Sequence, residues 1–463
     1  SGDPVNLATG ELYFHEPPDL DLGGPMGFKF QRYYASRMRR NFVVGVMGDN
    51  WRHNFEWKIH WTGNLIILIT SEGKVLKYVK EGDEWKLKTP TDNPLQVVQQ
   101  GTEIYVGDAR NHRIYRFNSM GQLIEISDGK GNSLLLTYDL FTGKLYRIQD
   151  HPNLSQARVL ELFHAGDNLS TVMEMTNGVM GRWAAYSYVG NNLAYYYDSN
   201  YETTYYYYYD NPEPGLFRAA EYPNYTISWI QTWDDVGKVA KQSDLSGLMA
   251  TYFNYGPPQT PGTTIVTNAD NGIWTYVHNE QGTLVSVTDP DGKVISFGAT
   301  TNLLHASITN RIGGSISRAF DPATGAVTIE TDENGNAVVY TYANRTNALG
   351  IVFRDLVLVS FPDGTTEQFQ YDASGNLLTH TNRAGDVWSF VYNTNGQVLQ
   401  MTNPLGGVTT NTYDNFRNLS TVRDPAGNLT TYHYDAHQRL NKITWADGSF
   451  RLFEYDSMNR VIS

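Results

Sequence analysis

The C-terminal part of the chain alternates short β-branched and aromatic runs with clusters of Gly, Asn and Asp. One stretch, Tyr371 to Val391, reads YDASGNLLTHTNRAGDVWSFV. Two turn signals divide it, Asp372-Ala373-Ser374-Gly375 and Asn382-Arg383-Ala384-Gly385. The runs between them, Leu377 to Thr381 and Asp386 to Tyr392, have the length and composition of strands joined by tight turns. The pattern then returns. Tyr371, Tyr392, Tyr413, Tyr434 and Tyr455 stand 21 residues apart, as do Gly364, Gly385, Gly406, Gly427 and Gly448. A third row, Leu377, Val398, Leu419, Leu440 and Val461, keeps the same register. Self-similarity at this period signals a repeat architecture in which each unit is one antiparallel hairpin.

Alternation along the strands assigns the faces. Trp388, Phe390 and Tyr392 share one side, as do Phe369 with Tyr371, Tyr432 with Tyr434 and Phe453 with Tyr455. An aromatic ladder across neighbouring strands follows, each cross-strand pair contributing roughly 0.2–1 kcal/mol. The opposite side is mixed, with Gln368, Gln370, Thr410, Thr412, Thr431 and His433. The Tyr and Gly rows are therefore structural positions that define the repeat. In three units Arg417, Gln438 and Asn459 replace the glycine at Gly375's place, which predicts another turn type there.

Three regions follow from the same reading. Residues 1–60 do not repeat and carry Pro17-Pro18, Gly23-Gly24-Pro25 and the basic run Arg37 to Arg40. Residues 61–116 read as irregular strands with long turns. The repeat becomes visible at Phe117 and fills 117–463, with a D-x-x-G-N turn at Asp128 to Asn132, Asp332 to Asn336 and Asp424 to Asn428. Insertions blur its register between about 150 and 350. No segment sustains helical periodicity, so few helices are expected. Ser463 falls inside a unit, directly after Val461-Ile462, which suggests a piece of a longer polypeptide because a bare strand edge invites aggregation.

Composition sharpens this. Aromatic residues make up 13% of the chain, with 32 Tyr and 42 Gly, which suits half-exposed strands and turns better than one thick aliphatic core. The absence of Cys excludes disulfides and thiolate metal sites. A net charge of −13 argues against a nucleic-acid footprint. No apolar stretch reaches the ~20 residues needed to span a bilayer, and Ser1 to Gly10 lacks the features of a signal peptide.

Candidate chemistry is sparse. His433 and His437 have an i, i+4 spacing but flank a turn between strands, so they do not make a zinc helix. Asp234-Asp235 reads as a solvated turn. No phosphate-binding glycine motif and no nucleophile elbow occurs. Six N-x-S/T triplets, such as Asn418-Leu419-Ser420, follow from the turn composition. No catalytic residue, metal ligand or cofactor is assigned. The remaining candidate is the run Tyr205 to Tyr209, whose rings occupy both faces of one strand. It reads either as a strand packed on both sides or as a wall that faces a cargo or sugar ligand.

Three opening segments and the repeat together resemble the Rhs/YD-repeat family of large bacterial polymorphic toxins. Gly2 to Leu12, GDPVNLATGEL, is similar to the G-D-P-V-x-x-x-T-G-E start of the Rhs core. Arg32-Tyr33-Tyr34-Ala35-Ser36 resembles its R-x-Y-x-S segment. Gly45 to Glu56 matches G-x-x-G-x-G-W-x-H, except that Asn50 stands where the family has glycine before Trp51. Tyr371, Asp372, Gly375 and Leu377 preserve Y-D-x-x-G-x-L.

The resemblance implies an all-β hollow cocoon: one long coiled antiparallel sheet that encloses a toxic C-terminal domain. It implies that the remaining C-terminal part of the shell and the toxin are partners. It further implies that spike or adaptor proteins, often of type VI secretion, meet the N-terminal side. Delivery from the bacterial cytoplasm against competitor or host cells would follow. The family's C-terminal cleavage motif, D-P-x-G-x-x-G-G, does not occur in this sequence, so no autoproteolytic residue is carried over and the chain is expected to be a container. Ser1-Gly2-Asp3-Pro4 fits N-terminal processing or a cloning scar equally. Two rivals stand beside this reading. Paired units of 21 residues could build the blades of a β-propeller. A cell-surface protein that binds carbohydrate or mediates adhesion could use the same repeat.

Overall fold

The computed structural model describes residues 3–176, 178–256, 262–456 and 460–462. Among them the regular structure is antiparallel strand, apart from one 3-10 turn at Leu154–Gln156. Three small sheets hold the strands between Val5–Asn6 and Glu84–Leu87. A 12-stranded sheet runs from Gln96–Gln100 to Leu216–Glu221, and a 21-stranded sheet from Ile230–Trp233 to Phe450–Leu452. Within these two sheets each strand pairs with its predecessor in sequence, and neither closes on itself. Residues after Glu221 stay beside the last strand of the smaller sheet, where the Ser228 N–H donates to Ala220 O at 2.8 Å and Trp233 Nε1 to Phe217 O at 2.9 Å. The wall is therefore one continuous ribbon, and separate radial blades do not describe it.

The local cause of each hairpin is an aspartate or asparagine that templates the turn. Asp372 Oδ1 accepts the N–H groups of Ser374 at 2.9 Å and Asn376 at 2.8 Å, while Gly375 supplies a φ of 82°. Such side-chain-to-backbone bonds let Asx residues mimic a backbone turn. The different turn type predicted for units without the glycine is not found. Arg417 and Gln438 adopt φ of 65° and 64°, and Asp414 accepts from Phe416 at 2.9 Å and Asn418 at 2.8 Å as Asp372 does. The carboxylate template fixes the turn even where a side chain must enter the left-handed region. Asn459 lies outside the described residues.

A second regularity follows each turn. Gln370 pairs with Thr379 but Tyr371 with Leu377, so one residue bulges out. The same slip recurs at Tyr392, Tyr413 and Tyr434. A bulge disrupts the ladder locally, and the next unit's tyrosine repairs it. Tyr434 Oη donates to Leu419 O at 2.8 Å, Tyr413 Oη to Val398 O at 2.9 Å and Tyr455 Oη to Leu440 O at 2.6 Å. Tyr138, Tyr208 and Tyr342 repeat the bond earlier in the chain. The return to Tyr-Asp is thus a bulge clamp followed by a turn template.

Burial is uneven. The main core is built by residues between Leu12 and Val239, where the opening segment lies against one face of the 12-stranded sheet. Most of the 21-stranded sheet is a single layer whose two faces are both half-exposed or exposed.

Candidate functional site

The opening segment fills the inner face at the strands Val179–Val189, Asn192–Asp198 and Thr203–Tyr209. Arg32 is its centre. Its guanidinium donates to both Asp19 oxygens at 2.7 and 2.8 Å and to Tyr206 Oη at 2.7 Å, and lies 4.5 Å from the Tyr196 ring centroid. Tyr186 Oη donates to Asp19 Oδ2 at 2.8 Å and Trp51 Nε1 to Tyr208 Oη at 2.8 Å. Burial opposes the Arg32 charge, yet Asp19, Tyr206 and the nearby Glu16 outweigh it and hold its pKa above the ordinary value. Burial likewise pushes the Tyr206 and Tyr208 phenols far up, so they stay neutral donors and acceptors. A charge this deeply buried is tolerated because every partner is in place.

The tyrosine run is split by strand alternation. Tyr206 and Tyr208 point to the inner face, against Trp51 and Phe217. Tyr205 and Tyr207 point to the other face and are 46% and 40% exposed. Tyr205 lies 5.8 Å from Tyr195 with the rings tilted, and contacts from Tyr195 to Tyr197, Tyr197 to Trp183 and Trp183 to Tyr201 continue the chain, so the outer surface carries a connected aromatic patch. Tyr209 lies under Arg218.

The repeat-defining residues form two rows, one of tyrosines and one of glycines. Tyr371, Tyr392, Tyr413, Tyr434 and Tyr455 occupy the face that continues the covered inner face, since Tyr208 makes the same phenol bond inside the core. The phenols of Tyr371 and Tyr392 make no such bond among the described residues. Gly364, Gly385, Gly406, Gly427 and Gly448 have φ between 78° and 88°, and a Cβ on any of them would meet no atom within 4 Å. Backbone handedness, not crowding, selects glycine there. Cross-strand pairing extends the aromatic ladder through a residue that the sequence pattern did not assign to it. His380 stacks on Phe369 at 4.8 Å and on Trp388 at 5.6 Å.

The ribbon also meets itself. Arg158, paired with Asp150 at 2.9 Å, donates to Phe416 O at 2.9 Å across 258 residues. Asn132 Nδ2 donates to Asn395 O at 2.7 Å across 263 residues, and Gln96 exchanges two bonds with Val352 across 256. Arg417, the residue in glycine's place, donates to Asn132 Oδ1 at 3.1 Å. One lap of the coil therefore takes about twelve of the 21-residue units, and turn tips of the second lap are stitched to the first. His437 sits in this seam beside Gly181, whose Cβ position would lie 2.9 Å from its Nδ1. Asp234 is a turn template, accepting from Val236 at 3.0 Å and Lys238 at 2.8 Å.

The sequence marks Arg32 only as the first residue of the R-x-Y-x-S segment, without a charge partner, and does not mark Asp19, Asp150 or Arg158. The seam residues carried no signal, because their partners lie a full lap away.

The family model described as RHS Repeat matches residues 355–387, 392–429 and 418–449, and that of a domain of unknown function, DUF6531, matches 2–78. The chain therefore carries RHS repeats within residues 355–449. No curated protein sequence matches it. Among solved structures, the TcdB2-TccC3 complex is 10% identical, with 100% of this chain and 26% of that one covered at a TM-score of 0.48. The TcdB2-TccC3-Cdc42 complex is 11% identical over 94% of this chain and 24% of that one, also at 0.48. A Photorhabdus luminescens Tc holotoxin pore is 12% identical over 94% and 22%, at 0.36. The chain thus spans about a quarter of the length of these solved chains.

Proposed function

We propose that this chain is a stretch of the wall of a shell that encloses a C-terminal toxin domain, and that it acts as container, not catalyst. One observation carries the reading. The face that the opening segment covers in the first lap continues into the second as a row of Phe369, His380, Trp388, Phe390, Met401 and Tyr432. All six are only half-buried, because nothing among the described residues lies over them. A continuous half-exposed aromatic face needs an occupant or an enclosed space. In this reading residues 1–60 close one end of the shell, residues 61–116 join them to the repeat wall of 117–463, and the rest of the shell completes the enclosure. Export by a specialised system, with type VI spike or adaptor proteins meeting the N-terminal side, is the delivery route proposed with it.

The chain contains no Cys, so an introduced thiol is unique within these 463 residues. In the full-length protein, Met401→Cys on the inner face should resist a polymer-linked maleimide, while Gln400→Cys on the outer face should react. Equal labelling of the two would sink the enclosure.

The outer patch around Trp183, Tyr195 and Tyr205 favours a second reading, a surface that stacks on carbohydrate. Glycan-array binding abolished by Tyr205→Ala with Tyr195→Ala would support it.

A further inference from the structure

The seam between laps contains a cavity of about 480 Å³. The first lap contributes Arg110, Arg113 and Lys130 to its lining, and the second contributes Arg354 from the opposite side. Four cations thus converge in a protein whose net charge is −13. Two carboxylates also line the cavity, and both are already engaged. Asp355 accepts two bonds from Arg345, at 2.6 and 3.1 Å. Asp128 templates its turn, accepting from Lys130 N at 2.7 Å and Asn132 Nδ2 at 2.7 Å.

The cations are less well satisfied. Arg113 and Lys130 have no carboxylate within ion-pair distance among the described residues, whereas Arg354 pairs with Asp321 at 2.7 Å. The Nε of Arg354 is buried without a hydrogen-bond partner. Two inner-face tyrosines border the same space. Tyr342 is tied to Val327 O at 2.9 Å, but the Tyr371 phenol, alone with Tyr392 in the regular row, makes no hydrogen bond among the described residues. His112, also in the lining, stacks on Phe353 at 5.7 Å with the rings 8° apart.

Arg113 and Lys130 stand without a counter-charge on the first-lap side, and across the junction the buried Arg354 Nε–H lacks an acceptor, which is costly. An anion between them removes both penalties. Guanidinium forks suit phosphoryl oxygens, and the volume falls within the range of about 300–1,000 Å³ typical of small-molecule sites. We propose that the seam cavity binds a small phosphoanion with two or three phosphoryl groups, and that the bound anion links the first lap of the wall to the second.

The test is titration calorimetry on the whole chain with tripolyphosphate, ATP and sulfate at matched ionic strength. Tripolyphosphate should bind one per chain and far more tightly than sulfate. Arg113→Gln and Lys130→Gln should each weaken it about tenfold, the loss of one charge-assisted hydrogen bond. Both side chains are half-exposed and unpaired, so the variants retain the fold, and Lys130→Arg should restore binding. ATP binding more tightly than tripolyphosphate would assign the aromatic lining to a base; the reverse order would assign the site to inorganic polyphosphate. Hydrogen exchange should slow on ligand addition both in residues 109–113 and in 353–356. No binding, sulfate as tight as tripolyphosphate, indifference to both Arg113→Gln and Lys130→Gln, or protection confined to one lap overturns the proposal.

Discussion

The phenol clamp gives the most direct test of how the repeat is held. Tyr434→Phe removes one oxygen and leaves the ring, so the ladder packing stays while Leu419 O loses its donor at 2.8 Å. A typical intramolecular hydrogen bond contributes about 0.5–1.5 kcal/mol, and the site is only half-buried, so the expected cost is about 1 kcal/mol. Tyr413 and Tyr455 make the same bond two strands away on either side. At ~4.8 Å per strand the sites lie about 10 Å apart, far enough for near-additive effects, so the triple Phe variant should lose about 2–4 kcal/mol. A long repeat array need not unfold in one step, so the measurement is local. Native-state hydrogen exchange of peptides spanning 413–444 should show opening free energies lowered by that amount, with residues 96–138 unchanged. Tyr225→Phe, at a tyrosine 85% exposed, is the control and should do nothing. If the triple variant exchanges like the parent, the clamp is ornamental and the repeat rests on the turn templates alone. The phenols add a pH signature. Burial raises the Tyr434 pKa from 10.0 to about 12, so the neutral form is favoured by folding. Its contribution is complete below pH 10 and is lost as pH rises through about 12, and Tyr434→Phe should remove that dependence.

Three further outcomes are expected. Arg32→Ala leaves the Asp19 carboxylate buried beside Tyr186 and should cost about 3–5 kcal/mol, read as a red shift of Trp emission and rapid exchange of residues 28–53. Asp3, whose pKa burial raises to about 6 against the opposing hydrogen bond from Gln231, stabilises the docked N-terminus most below pH 3.8 and loses that contribution as pH rises through about 6. Proteolysis near residues 3–10 should therefore speed up between about pH 4 and 6 and level off above, and Asp3→Asn should flatten the profile. Gly364→Ala and Gly375→Ala share a φ of 82°, but a Cβ at 375 would also lie 2.4 Å from Arg345 Nη2. The first should cost roughly 1–2 kcal/mol of left-handed strain, the second clearly more, by thermal melts of the two variants.

Much of the wall was legible in one dimension. The 21-residue spacing, the alternation and the Asx-Gly turns define hairpins that pair with their sequence neighbours, because every bond involved closes within a unit or the next one. That locality is why the strand order and the aromatic face could be read directly. It also explains the misreading at Arg417 and Gln438: the eye follows the glycine, while the aspartate carboxylate four residues before the end of the turn does the templating. Contacts between distant segments left no such trace. Which tyrosines of Tyr205 to Tyr209 meet the opening segment, how Arg32 is neutralised, and which turns of the second lap lie against Asn132 and Arg158 depend on the curvature accumulated over about twelve units. A small twist at each strand pair sums to a full lap. The repeat period carries that sum only through the coordinates, so the sequence determined the ribbon and the tertiary structure decided where the ribbon meets itself.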